Sequence, residues 1–251
     1  MLTNIRYILL TALRDWLFAA LMIGIIVCTL IAHMLGSTAI IENQEMTLAY
    51  TAASARIIIM IGLIVFTCFH IRNAFDTKEI DVFLSRPITR ATLVFSYWLG
   101  FATVALLLVV PTIGLVAIQG LLSKSGFVFW SISLLVECWL VVASALLAAF
   151  MLGSAVTSIM ISMGFYVFAR MVGFFMATTQ QSGLHGVGAF PLEGVKSITT
   201  FMPRLDSFAK SEWLIYGLTQ RHDFTLFMTQ AVVFIVLLIC VTIVNFRYKQ
   251  F

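Results

Sequence analysis

The sequence predicts an all-α integral membrane protein, in which an N-terminal helix on the membrane surface precedes six transmembrane helices. Hydrophobic residues make up 61% of the chain and charged residues only 10%, whereas a soluble domain carries about 25% charged residues. The mean hydropathy of +1.06 over 251 residues is typical of a protein with several spans. Apolar runs near or above the roughly 20 residues needed to cross the hydrocarbon core recur along the chain. We therefore expect residues 1–251 to form a single transmembrane domain.

Residues 1–15 predict an amphipathic helix that lies along the inner membrane surface. Its apolar residues recur at three- and four-residue spacing and share one face: Leu2, Ile5, Leu9, Leu13 and the adjoining Trp16. Arg6 and Arg14 would point towards lipid head groups. A signal peptide is disfavoured, because the apolar run that follows is long enough for a full span and no small-residue cleavage pattern follows it.

The six spans are predicted at about residues 16–35, 52–71, 91–122, 127–152, 155–177 and 224–246. The fourth and fifth meet at Gly153 and Ser154 with almost no loop between them. They must still be two helices, because one helix over both would be about 77 Å long against a hydrocarbon core of roughly 30 Å. Pro111 lies in the middle of the third span and predicts a kink there, since proline removes one backbone hydrogen bond.

Positive charges set the expected orientation, because cytoplasmic loops carry an excess of Lys and Arg. With both termini in the cytoplasm, eight basic residues lie inside: Arg6, Arg14, Arg72, Lys78, Arg86, Arg90, Arg247 and Lys249. Six lie outside, and four of these are in the last outer loop, residues 178–223, against the rule. Long loops obey the rule poorly, and the first outer loop, residues 36–50, has two glutamates and no basic residue. We therefore predict cytoplasmic termini.

The longest polar interruption in the first two-thirds of the chain is residues 72–92, RNAFDTKEIDVFLSRPITRAT. It predicts a cytoplasmic loop that contains one short helix. Asp76 is placed to cap the start of that helix, and Glu79 stands where a capping-box partner belongs. Pro87 would end the helix, because proline disfavours helical geometry at the preceding Arg86. The helix would have apolar surface from Ile80, Val82, Phe83 and Leu84.

The run Leu84–Arg90, LSRPITR, with the acidic segment before it, resembles the first cytoplasmic loop of ABC type-2 exporter permeases. In that family an acidic, amphipathic segment runs into a Leu-Ser-x-Pro-aliphatic-Ser/Thr-Arg pattern. The acidic half matches more loosely, because Asp-Thr-Lys-Glu stands here where the family often has Glu and Gly-Thr. The pattern of six spans extends the resemblance over the whole chain.

This resemblance implies the membrane-spanning permease subunit of a bacterial ABC transporter, an exporter of the inner (plasma) membrane. Residues 1–15 would be its elbow helix and residues 72–92 its coupling loop. The residues implied to contact an ATPase are Asp76, Glu79, Ile80, Phe83, Leu84, Arg86, Pro87 and Arg90. The expected partners are two ATPase subunits per complex, which would carry ATP and Mg, and a second permease subunit, identical or similar. The family forms outer helices over the transport path from the region of residues 178–223, whereas the sequence alone equally allows a simple connector.

No Gly-x4-Gly-Lys-Ser/Thr motif occurs in the chain, so we expect no ATP site of its own. Motifs of serine hydrolases and zinc proteases are absent too. We therefore expect no catalytic residue, no metal site and no cofactor bound by this chain, which would not itself be an enzyme. The net charge of +4 fits basic membrane flanks and a bilayer partner rather than nucleic acid, since no basic stripe is free of apolar segments.

Glu137 and Arg170 are the two ionisable residues that lie well inside apolar runs. An intramembrane charge costs several kcal/mol unless it is paired or hydrated, and the two lie at similar depths, about 15 and 11 Å from the outer helix ends. We predict an ion pair, which is either structural or exposed to water along a substrate path. An ion-coupled secondary carrier that uses this pair, and a non-transporting membrane assembly factor, stay open as alternative functions.

Overall fold

The computed structural model describes residues 2–37, 43–79, 89–120, 123–181, 203, 205–217 and 221–248. Over these ranges the chain is helical apart from short turns, and it contains no strand. The elements are α1 (Leu2–Arg14), α2 (Trp16–Ser37), α3 (Asn43–Asp76), α4 (Arg90–Ile118), α5 (Lys124–Met151), α6 (Ala155–Gln181), a 3-10 turn (Leu205–Ser207), α7 (Glu212–Tyr216) and α8 (Arg221–Tyr248). Six of these described helices, α2 to α6 and α8, are long and apolar enough to cross a membrane. The fold is therefore compatible with a multi-pass membrane protein.

The long helices alternate in direction, so their ends form two opposite faces of the bundle. At one face the side chain of Arg90, where α4 begins, reaches the main chain of Phe246 near the end of α8. At the other face the side chain of Arg170, late in α6, reaches the main chain of Leu205. We call these faces the Arg90 end and the Leu205 end.

Helix α5 lies at the centre of the bundle. In its most apolar stretch, 72% of the residues are buried, against 11% in the corresponding stretch of α2. Small residues explain why other helices approach α5 from several sides, because they let backbones come close: Ala143, Ser144, Ala145, Ala148 and Ala149 are all buried. Near the Arg90 end, Phe150 of α5 contacts Phe246 of α8 edge to face, with ring centroids 5.1 Å apart.

Helix α3 is longer than the span that the sequence predicts, since it extends beyond residues 52–71 at both ends. Its 34 residues correspond to about 51 Å of helix, more than the hydrocarbon core requires. The prediction that Asp76 caps the start of a new helix is wrong, because Asp76 is the last residue of α3. Its carboxylate pairs instead with Arg72 at 2.7 Å, an i,i+4 contact that favours continued helix.

Helix α1 packs against α4 through a face that overlaps the predicted stripe only in part. Ile8 and Ala12 are 0% and 1% exposed, and Ile8 lies over Gly100, where an added Cβ would contact its side chain at 2.5 Å. Leu13 and Trp16, which the sequence places on the apolar face, are 48% and 88% exposed. Periodicity identifies the apolar positions of a helix, but it does not say which of them meet protein.

The remaining boundaries differ by a few residues. Helices α5 and α6 are separate, with Leu152–Ser154 between them, as the length argument requires. Helix α4 continues through Pro111 and ends at Ile118. In the last outer loop the sequence predicts one short helix over residues 206–216, where the structure has a 3-10 turn followed by the short helix α7. Between the two, Ala209 adopts a φ of 44°, a left-handed conformation that a right-handed helix cannot contain.

Candidate functional site

The loop that carries the family resemblance is described only at its flanks. Residues 80–88, which include the predicted contact residues Ile80, Phe83, Leu84, Arg86 and Pro87, lie outside the described residues. Asp76, Glu79 and Arg90 are described. The geometry at the Arg90 end therefore concerns the residues on either side of this segment.

Arg90 contacts the last long helix. Its Nη1 donates to the carbonyl oxygens of Phe246 at 3.0 Å and Arg247 at 2.9 Å, and its guanidinium lies 5.7 Å from the centroid of the Phe246 ring. The last carbonyls of a helix have no intrahelical donor, and a cation there also interacts favourably with the helix dipole. Thr89 caps α4, since its Oγ1 accepts from the main-chain nitrogen of Thr92 at 3.2 Å.

Glu79 contacts the N-terminal helix. The hydroxyl of Tyr7 in α1 donates to Glu79 Oε1 at 3.3 Å. Burial, and then the charge of Glu79, raise the pKa of the Tyr7 hydroxyl above its ordinary value, so it keeps its proton and remains a donor at neutral pH. The segment 80–88 is thus flanked by one contact to α1 and one to α8.

At the Leu205 end, the structure brings Glu137 and Arg170 together. Arg170 Nη1 lies 3.3 Å from Glu137 Oε1, and the hydroxyl of Tyr166, one turn before Arg170 on α6, donates to the same oxygen at 3.4 Å. Glu137 is 0% exposed. Such a buried carboxylate needs partners of opposite charge or hydrogen-bond donors, and α6 supplies both.

The same arginine also holds main-chain carbonyls of the chain that follows α6. Arg170 Nη1 is 2.6 Å from the oxygen of Leu205 and 3.1 Å from that of Phe208. Arg56 of α3 reaches the same region, with its Nη1 2.7 Å from the oxygen of Ala209. We call Arg56 and Arg170 the arginine clamp, and residues 205–209 the Leu205–Ala209 turn.

The Leu205–Ala209 turn is as deeply buried as the core of the bundle, although it lies outside the long helices. Leu205, Ser207, Phe208 and Ala209 are all at most 2% exposed. The main-chain nitrogen of Ala209 donates to Ser133 Oγ of α5 at 3.0 Å. Side chains from three long helices, α3, α5 and α6, therefore hold one short turn at the Leu205 end.

The sequence prediction missed Arg56, Tyr166 and Ser133 as members of this cluster. Arg56 lies inside the predicted span 52–71, although the count of positive charges places it among the six basic residues outside. An arginine within an apolar run indicates a polar partner in the bundle, and that signal was present. Tyr166 and Ser133 offer no such local signal, because serine and tyrosine are ordinary residues of apolar helices.

Other parts of the described chain offer less chemistry. Within the described ranges no three His, Cys, Asp or Glu side chains lie close enough to hold a metal ion. A groove of about 210 Å³ between α5, α6 and α8 is lined by small and apolar side chains, among them Ser144, Ala148, Phe165 and Leu238. These linings present no nucleophile beside a base, so they suggest packing rather than catalysis.

No protein-family model matches this chain, and neither does any curated protein.

Proposed function

We propose that this chain is the membrane-spanning permease subunit of a bacterial ABC exporter, located in the inner membrane with both termini in the cytoplasm. The six apolar helices and the LSRPITR resemblance support this function. The Arg90 end is then the cytoplasmic face and the Leu205 end the outer face. Since the chain carries no P-loop, ATP and Mg would bind to separate ATPase subunits.

The observation that carries the proposal is the pair of contacts that flank residues 80–88. Glu79 accepts from Tyr7 of α1, and Arg90 donates to the last carbonyls of α8. A partner that pushes on residues 80–88 therefore acts directly on α3 and α4, and through these contacts on α1 and α8. An ATPase docked there would move the long helices together, which is what coupling of ATP hydrolysis to transport requires.

The expected assembly contains two permease subunits and two ATPase subunits, because six spans form half of the usual permease pair. The exposed apolar side chains of α2 and α8, such as Leu30 and Val233 at 62% and 63%, would face lipid or the second subunit. The elbow helix of the proposed permease would be α1, along the cytoplasmic membrane surface.

The docking role of residues 80–88 is tested by a pair of substitutions in the loop. Phe83→Asp should detach the ATPase while the chain still reaches the membrane, because apolar anchors at the centre of an interface carry most of its binding energy. Arg86→Ala, three residues after Phe83, serves as the control and should be mild, since rim charges contribute little. The measurement is co-purification of the ATPase with each variant. A full complement of ATPase on Phe83→Asp would refute docking through this loop.

An ion-coupled secondary carrier is a second candidate, favoured by one observation. Glu137 is fully buried, and its Oε2 accepts no hydrogen bond from any described residue, so this oxygen is available to accept a proton. Proteoliposomes that contain this chain alone separate the two functions. Transport driven by an ion gradient without ATPase would favour the carrier.

A further inference from the structure

The Leu205–Ala209 turn has structural features that would allow it to detach from the bundle. It is joined to the bundle by side-chain hydrogen bonds rather than by a backbone ladder: Arg56 and Arg170 donate to its carbonyls, and Ser133 Oγ accepts from the nitrogen of Ala209. Ala209 holds a φ of 44°, which is costly for a residue with a Cβ and persists only where surrounding contacts impose it. Loss of those contacts would therefore detach the turn. It would also relieve the conformational strain at Ala209.

The arginine clamp has an alternative partner, the carboxylate of Glu137. Arg170 already touches Glu137 Oε1, and Arg56 lies within electrostatic range of the same carboxylate. Glu137 Oε2 accepts no hydrogen bond from the described part of the chain. If the turn leaves, both guanidinium groups can bind the two oxygens of Glu137, so neither cation is left unpaired.

We propose that the Leu205–Ala209 turn is a releasable plug in the Leu205 end of the bundle, held in place by Arg56 and Arg170 and released when both arginines bind Glu137. In both states the donors are the two guanidinium groups. They bind main-chain carbonyls when the plug is in place and the Glu137 carboxylate when it is released. The use of the plug as an outer gate rests on the proposed transport function. Its release does not.

The test measures how often the site that the plug occupies, which we call its seat, becomes open to water. Ser133→Cys places a reporter thiol in the seat, at a position that is 0% exposed and in contact with the main chain of Ala209. The purified chain in lipid nanodiscs is treated with a small water-soluble methanethiosulfonate, without any ATPase. Mass spectrometry quantifies the modification at residue 133 alone, so native cysteines do not interfere.

The proposal assigns the carboxylate of Glu137 to the released state. Glu137→Gln should therefore slow modification severalfold, because it removes the partner that both arginines bind when the turn is released. Arg72→Gln, on the same helix as Arg56 but at the Arg90 end, is the control and should change nothing.

One further variant does not touch the clamp. A Cβ at Gly173 of α6 would overlap the Asp206 side chain of the plug, so Gly173→Ala should displace the plug and speed modification with both arginines intact. Equal rates in all variants, or no modification in any, would overturn the proposal. Acceleration by Glu137→Gln would also overturn it, since the cluster would then be a fixed brace. A chain that fails to bind an ATPase would refute the proposed function and leave these rates unaffected.

Discussion

Arg170 Nη1 lies 3.3 Å from Glu137 Oε1, and the same nitrogen lies 2.6 Å from the carbonyl oxygen of Leu205. The arginine therefore does two things at once. It neutralises a carboxylate that is 0% exposed, and it holds a distant part of the chain against the bundle. Substitutions at the two residues should consequently have unequal effects.

Arg170→Met should be the more damaging of the two single changes. It leaves Glu137 with Tyr166 as the remaining donor among the described residues, and it removes a donor to the carbonyls of Leu205 and Phe208. We expect the free energy of unfolding to fall by about 3–5 kcal/mol, the range for loss of one partner of a buried pair. Glu137→Gln keeps a neutral acceptor and should cost less. Because the residues share a contact, the double substitution should cost less than the sum. Denaturant unfolding of the solubilised chain measures all three values, and strictly additive losses would contradict the coupling.

Because α7 lies very close to the start of α5, we predict that a side chain at Gly126 destabilises the protein. A Cβ at Gly126 would overlap the carbonyl oxygen of Trp213 and lie 3.0 Å from the Cα of Gly217. Both are backbone atoms, so Gly126→Ala must displace α7, at a cost of about 1–3 kcal/mol. Gly114→Ala is the matched control, since a Cβ there meets nothing within 4 Å, and it should be neutral or slightly stabilising. Equal thermal stability of the two variants would show that α7 is not packed as described.

The proposed orientation predicts which end of the bundle each side of the membrane can reach. Arg14 at the end of α1 and Ser125 in the first turn of α5 are both exposed, at opposite ends. In intact cells, a membrane-impermeant maleimide added outside should label Ser125→Cys and leave Arg14→Cys unlabelled until the cells are permeabilised. The reverse pattern would place the termini outside and exclude an ATPase at the Arg90 end.

The sequence predicted the long helices well because hydropathy is a local property of the chain. The gap between α5 and α6 is an example, since length alone required two helices there. The arginine clamp is different. Arg56 binds the carbonyl of Ala209, 153 positions away, and a main-chain carbonyl is available at every residue, so no pattern in the sequence marks which one an arginine will reach.

The same limit applies at the Arg90 end. In the sequence, the family resemblance implies that Arg90 contacts an ATPase. In the structure its side chain reaches the last carbonyls of α8. The donor could be identified from sequence, whereas the acceptor depended on which helix lies beside the start of α4.

Arg90→Gln should therefore loosen the end of α8 rather than detach a partner. The carbonyls of Phe246 and Arg247 would lose a charged donor, and the last turn of a helix without such donors frays. We expect amide hydrogen exchange over residues 244–248 to become about tenfold to hundredfold faster, the range for loss of hydrogen bonds to a charged group. Arg72→Gln is the control, because Arg72 pairs with Asp76 on its own helix and should leave this exchange unchanged.

The function of the same variant distinguishes docking from transmission. If residues 80–88 bind the ATPase and Arg90 passes the movement to α8, Arg90→Gln should retain the ATPase in co-purification but lose most ATP-driven transport. Phe83→Asp should lose both. Transport at the normal rate in Arg90→Gln, together with faster exchange at the end of α8, would show that the last helix need not move with the loop. Unchanged exchange would show that Arg90 does not stabilise α8.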